Sequence, residues 1–88
     1  LDNLSIIDEN KVNVEEVAIE ALTKTTGLQT IKDLDFRNKT GCSIIGYKTP
    51  EREYIINPEA STILRPNSKI IVLGRSEQIQ ALNKMFDL

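Results

Sequence analysis

Residues 69–73, Lys-Ile-Ile-Val-Leu, give the clearest strand signal in the chain. An almost continuous apolar run of this length is typical of a central strand that is covered on both faces. Gly74 predicts the end of that strand, and Ser76 predicts the N-cap of a helix with Glu77 in its first turn. Four apolar residues recur along one face of this helix, at Ile79, Leu82, Met85 and Phe86. We therefore expect the chain to end in a strand and a helix that packs on it.

Upstream of this pair, the sequence predicts a β-hairpin. Residues 42–48 (Cys-Ser-Ile-Ile-Gly-Tyr-Lys) are rich in the β-branched and aromatic residues that favour strands. Residues 49–52 (Thr-Pro-Glu-Arg) predict a turn with proline at a favourable position, and residues 53–56 return as the second strand. After the hairpin, we expect Ile63 and Leu64 to pack beneath the loop.

Before the hairpin, residues 30–40 predict a helix, either in one piece or as a bent pair. Thr30 and Asp33 have the spacing of a capping box, which satisfies free N–H groups at a helix start. Asp35 is placed to cap a second short turn. Gly41 supplies the left-handed residue that commonly ends a helix.

Residues 14–22 fit two patterns. Helical spacing relates Val14, Val17, Ala18, Ala21 and Leu22, with Asn13 available as N-cap. Strand-like alternation relates Val17, Ile19 and Ala21, and pattern alone slightly favours the helix. Residues 1–12 are expected to be a leader or linker from a longer parent chain, and residues 13–88 to form one domain.

The composition bounds what such a domain can do. The chain has 88 residues, 40% hydrophobic and 27% charged, which is typical of one folded domain and too apolar for disorder. The order strand, helix, hairpin, strand, helix predicts an α+β fold: a small β-sheet with helices on one face. No apolar run is long enough to predict a membrane span.

Residue counts exclude several kinds of chemistry. The chain has no histidine and a single cysteine, Cys42, so Ser-His or Cys-His catalysis, histidine metal sites and an internal disulfide are excluded. The flanking residues favour Cys42 as a small buried side chain over a reactive thiol. We therefore expect no enzyme activity and no cofactor.

Charge gives no case for nucleic-acid binding, since the net charge is −2 and basic residues are dispersed. Acidic residues concentrate in residues 1–20, which contain six acids and one basic residue. A site for a hard cation could use Glu15, Glu16 or Glu20, but no loop has EF-hand spacing. A solvated acidic flank is the favoured interpretation, and no metal site is predicted.

Six segments, in this order and spacing, resemble the RCK C-terminal domain, also called the TrkA-C domain, of prokaryotic potassium channels and transporters. They lie at residues 31–41, 42–48, 54–58, 61–66, 69–74 and 76–79. The resemblance departs from the family at Asn67-Ser68, where a Pro-Gly-Asp turn is common. It is poorest over residues 14–28, although the family has a strand before its first helix, which reverses the preference for a helix at 14–22.

The resemblance implies a cytoplasmic regulatory domain held at the inner face of the membrane by its parent protein. Such domains form homodimers, and a small ligand at the dimer interface biases a membrane-embedded channel or transporter part. Cyclic di-AMP and divalent cations are the ligands that relatives imply. The alternative is a purely structural dimerisation module with no ligand.

The resemblance also implies a ligand site on the hairpin, at the dimer interface. Its candidate residues are Ile44, Ile45, Tyr47, Lys48 and Arg52. In relatives that bind cyclic di-AMP, a pair of isoleucines packs against a base and a downstream basic residue meets phosphate; Arg52 offers the better bidentate geometry. The alternative is that both isoleucines only pack in the sheet and that Lys48 and Arg52 are solvated. This alternative is favoured, because two adjacent apolar residues in a strand seldom identify a ligand site by themselves.

Overall fold

The computed structural model describes residues 12–23 and 29–87. Its elements are β1 Val12–Ala18, α1 Ile19–Thr23, α2 Ile31–Leu34, α3 Phe36–Thr40, β2 Ser43–Lys48, β3 Tyr54–Ile56, β4 Lys69–Arg75 and α4 Ser76–Phe86. The strands form one antiparallel sheet in the order β1-β4-β2-β3. The predicted α+β class and element order are confirmed. The predicted leader lies outside the described residues except for Val12, so its role stays a prediction.

β4 is an inner strand, as expected, but the helices of the described residues cover only one of its faces. Ile70 and Val72 are fully buried on the helical side, whereas Ile71 and Leu73 on the other side are half-buried. The prediction of cover on both faces was wrong because a run of apolar residues does not distinguish two covered faces from one. The sheet therefore has a helical face and an open face.

Gly74 does not end β4, which continues to Arg75. A Cβ atom at Gly74 would lie 2.9 Å from the Cys42 Sγ atom, so the glycine makes room for a buried thiol beneath α4. Ser76 is the first residue of α4 and not its cap. The Gln78 side chain instead accepts a hydrogen bond of 2.8 Å from the Arg75 N–H.

The segment at 14–22 contains both predicted structures, since β1 ends at Ala18 and α1 begins at the next residue. The 30–40 segment is a bent pair. Thr30 and Asp33 form the predicted capping box of α2. Asp35 breaks the helix with a left-handed backbone (φ 51°), and Gly41 ends α3 with φ 84°.

The core lies between the sheet and the helices, and its members share near-complete burial. They include Leu22, Leu34, Phe36, Cys42, Leu64, Ile70, Val72, Ile79 and Leu82. Phe86 joins through its ring, whose centre lies 5.7 Å from that of Phe36. Within the described part of the chain, no helix combines the length and the apolar character that crossing a bilayer requires.

Two apolar predictions fail at the edge of this core. Met85 is 40% exposed, because at 100° per residue it lies on the opposite flank of Leu82 from Ile79. Ile63 is 59% exposed, because it forms an isolated antiparallel bridge with Thr30, and in such extended backbone neighbouring side chains project to opposite sides, so that Leu64 alone is buried.

Candidate anion-binding site at the hairpin end of the sheet

The open face presents one row of residues, three of them polar, at the hairpin end of the sheet. Paired residues on antiparallel strands project to the same side. Ala18 pairs with Lys69, Lys69 with Lys48, and Lys48 with Tyr54, so these four residues form a row across all four strands. Two lysines are therefore direct cross-strand neighbours, an arrangement that like charges make unfavourable.

A cavity of about 410 Å³ opens beside this row, between the hairpin turn and the start of β4. Three of the six described residues that line it carry positive charge. The lining consists of Lys48, Thr49, Pro50, Arg52, Asn67 and Lys69. None of these described lining residues is a carboxylate, so this part of the cavity wall is basic.

The hairpin turn that carries Arg52 is held by its own hydrogen bonds. The Arg52 N–H donates to the Thr49 carbonyl at 2.8 Å, and the Thr49 N–H donates to the Glu53 carbonyl at 2.8 Å. Arg52 has a left-handed backbone (φ 69°), which is uncommon for a long side chain and is often found at functional sites. The strain is local, and the turn around it is fixed.

The opposite wall is the turn before β4. Asn67 is left-handed there (φ 66°), as Asn readily is, and its N–H donates to Glu20 at 2.7 Å. That hydrogen bond lowers the pKa of Glu20 below its ordinary value. Ser68 is buried and donates its hydroxyl to the Arg65 carbonyl at 2.6 Å. These bonds fix the position of Lys69 at the start of β4.

Arg65 joins the two walls through a bidentate pair with Glu51, both N···O distances being 2.9 Å. The hydrogen bond from Arg65 holds the pKa of Glu51 below its ordinary value. Both side chains are about half exposed, so we assign the pair an orienting role and little stability. Glu51, an acid next to the cavity residues Pro50 and Arg52, is therefore already paired with a cation.

The cavity cations differ in how they are balanced. Lys69 lies 3.5 Å from a Glu16 oxygen, and Lys48 lies 5.3 Å from the centre of the Tyr54 ring. Within residues 12–23 and 29–87, no carboxylate forms an ion pair with Lys48 or Arg52. The cavity thus holds more positive charge than the described acids neutralise, which favours an anion.

The predicted site residues do not converge in one place. Lys48 and Arg52 meet at the basic cavity, whereas Tyr47 is buried in the core and its hydroxyl accepts the Arg65 N–H at 3.1 Å. Ile45 lies at a bulge in β2, half-buried, and its carbonyl accepts the Asn57 N–H at 2.9 Å.

Ile44 lines a different cavity of about 370 Å³ on the helical side. Phe36, Arg37 and Pro58 share this second cavity with it. Arg37 is partly engaged there, since it donates to the Ser43 hydroxyl at 3.3 Å. Among the described residues, the two cavities have no lining residue in common.

Sequence reasoning missed Lys69 and Asn67. The pairing of β2 with β4 brings Lys69 opposite Lys48, and this register is not visible in the sequence. The alternative cation site at Glu15, Glu16 and Glu20 is not formed, because Glu20 is bound to Asn67 and Glu15 projects to the helical side. Among the described residues, no three acids or cysteines cluster to hold a metal ion.

A sheet with one helical layer and a basic cavity at its open end defines a small α+β binding domain. Residues 14–87 match the TrkA-C domain, and the chain belongs to this family. The probable potassium channel protein 2 of Methanocaldococcus jannaschii is 35% identical over 57 residues, which are 65% of this chain and 16% of that protein.

Two solved structures have the same fold. The GsuK RCK domain matches with a TM-score of 0.71 and 26% identity, over 94% of this chain and 18% of that one. The RCK C domain of the potassium transport protein KtrA, in complex with cyclic di-AMP, matches with a TM-score of 0.66 and 27% identity. That match covers 93% of this chain and 89% of the KtrA chain. The chain thus spans under a fifth of its channel relatives and nearly all of the KtrA domain.

Proposed function

We propose that this chain is a cytosolic regulatory domain of a potassium channel or potassium-uptake system, which dimerises and responds to a small anionic ligand. The observation that carries the proposal is the meeting of Lys48, Arg52 and Lys69 at one cavity, where of these three only Lys69 forms an ion pair with an acid of residues 12–23 and 29–87. The potassium channel relative supports the class of parent protein. The complex of the KtrA domain with cyclic di-AMP makes that nucleotide the first candidate ligand.

The cavity chemistry suits a phosphate group. A phosphate between Lys48 and Lys69 would relieve the repulsion of two directly opposed cations. Arg52 would add the planar, two-pronged donor that phosphate oxygens accept. A divalent cation, the other ligand that the family implies, would meet like charge here. The domain would act by binding and not by catalysis, through a coupling free energy between the ligand and the ion pathway.

Calorimetric titration of the 88-residue chain with cyclic di-AMP tests this proposal. We expect saturable binding that weakens by about tenfold or more in Lys48→Met and in Arg52→Asn, since each removes a charged hydrogen-bond donor. Lys32→Met is the matched control, because it removes the same charge beside the second cavity and should leave affinity unchanged. Absent binding, or equal loss in Lys32→Met, would contradict the proposal.

A second candidate function is dimerisation without a ligand. The open face favours it, since Val12, Val14 and Ile56 are 38%, 55% and 69% exposed on one side of the sheet. This candidate predicts a dimer in sedimentation at tens of micromolar that no nucleotide alters. A ligand-responsive domain predicts a dimer whose stability rises with the nucleotide.

A further inference from the structure

Glu16 reaches across the open face toward the basic cavity. It lies on β1 opposite Ile71 of β4, on the same side of the sheet as Lys69. One carboxylate oxygen lies 3.5 Å from the Lys69 ammonium, and the other accepts the Tyr54 hydroxyl at 3.4 Å. A single acid on the first strand thus contacts residues of β4 and of β3.

These two contacts are long for hydrogen bonds to a charged group, which usually measure about 2.7–2.9 Å. Both partners of the ion pair are partly solvated, with 48% and 38% of the side chains exposed. Exposed pairs of this kind contribute little stability, so exchanging one anion for another on Lys69 is inexpensive. Glu16 therefore partly neutralises Lys69 without holding it firmly.

We propose that Lys69 is an exchangeable cation: it pairs with Glu16 when the basic cavity is empty and turns to the ligand's phosphate when the cavity fills. This inference rests on the proposed function, because it needs an anion in the cavity. Binding then breaks the contact between the Glu16 carboxylate on β1 and the Lys69 ammonium on β4. The backbone pairing of β1 with β4 over residues 12–18 does not depend on this contact, so the exchange changes the partner of Lys69 and leaves the sheet intact.

Glu16 is accordingly a competitor of the ligand and not part of its binding site. Removing its charge should strengthen binding of an anion, whereas removing Lys69 should weaken it. The two changes should also be coupled, because Glu16 competes through Lys69. Glu15 gives a matched control: it is exposed, carries the same charge and projects to the helical side, opposite Val72.

Calorimetric titration with pyrophosphate tests this exchange in four variants of the 88-residue chain. We expect Glu16→Gln to raise affinity about two- to fivefold, and Lys69→Met to lower it about three- to tenfold. Glu15→Gln should leave affinity within about twofold of wild type, since it removes only a distant, screened charge. In the Lys69→Met background, Glu16→Gln should no longer strengthen binding.

A second readout follows the carboxylate itself. The ¹³C resonance of the Glu16 side-chain carboxylate should move on addition of pyrophosphate to wild type, and should not move in Lys69→Met. Equal effects of Glu16→Gln and Glu15→Gln, with pyrophosphate still bound, would overturn the exchange and leave the proposed function standing. Absent binding of pyrophosphate and cyclic di-AMP in all variants would overturn both.

Discussion

The two faces of the sheet differ in burial and in charge. On the helical face, Ile70 and Val72 are fully buried beneath α4, and small residues such as Gly74 fit against a thiol. On the open face, apolar residues stay partly exposed and the hairpin end gathers three cations around a cavity. The helical face accounts for the fold, whereas the open face holds the groups that we propose bind an anion. Changes on the first should therefore alter stability, and changes on the second should alter binding.

Truncation of leucine on each face gives the largest expected contrast. Leu82 is fully buried under the sheet, so Leu82→Ala should cost about 2–5 kcal/mol of unfolding free energy. Leu73 on the open face is half-buried, and Leu73→Ala should cost about 1 kcal/mol. Urea denaturation at one fixed protein concentration measures both. Equal costs would show that the open face is covered as fully as the helical one.

Glycine substitution sharpens the same contrast. Gly74→Ala would place a Cβ 2.9 Å from the buried Cys42 Sγ, so we expect a loss of about 1–3 kcal/mol. Gly46→Ala meets the Ile71 Cδ1 atom at 3.0 Å, the end of a side chain that can turn on the open face, and should cost less. Cys42→Ala should lessen the penalty at Gly74 and not at Gly46. If Gly74→Ala costs as much stability in the Cys42→Ala background as in wild type, the steric clash is not with the Cys42 thiol.

Arg52 should separate stability from binding. Its left-handed backbone suits glycine, so Arg52→Gly should leave the unfolding free energy unchanged or raise it by up to about 1 kcal/mol. The same change should abolish its contact with an anion. Thermal unfolding and titration with cyclic di-AMP measure the two effects. A large loss of stability would mean that the arginine holds the hairpin and is not retained for binding.

The smallest expected effect is a dependence of stability on pH. The carboxyl groups of Glu20 and Glu51 have pKa values below their ordinary value of 4.5, through hydrogen bonds from Asn67 and Arg65. Folding therefore favours the ionised acids, and their stabilisation is present above pH 4.5 and lost as the pH falls below it. Urea midpoints between pH 7 and pH 3 should decline, and Glu51→Gln should make that decline shallower. A midpoint that rises on acidification would contradict this assignment.

The sequence was sufficient for the elements that depend on local patterns. The hairpin, the capping box at Thr30 and the left-handed Gly41 are confirmed, because each depends on a few adjacent residues. The sequence was insufficient to predict which strands pair and in which register. The neighbour of Lys48 across β4 and the room that Gly74 gives to Cys42 depend on distant residues meeting.

The candidate site was predictable in part for the same reason. Lys48 and Arg52 lie on one hairpin, so their proximity follows from the turn between them. Lys69 lies some twenty residues further along and joins them only through the sheet register. Ile44 lies on the same hairpin strand as Lys48 but faces the helical side, since the bulge between Ile44 and Gly46 shifts the register of β2.

The most direct test of the division between faces is a ¹H–¹⁵N NMR titration of the 88-residue chain with cyclic di-AMP. We predict shifts concentrated at the amides of Lys48, Arg52 and Lys69, with little change around Phe36 and Ile44 of the second cavity. Shifts centred on Phe36 and Ile44, with the basic cavity unaffected, would contradict the assignment of binding to the open face.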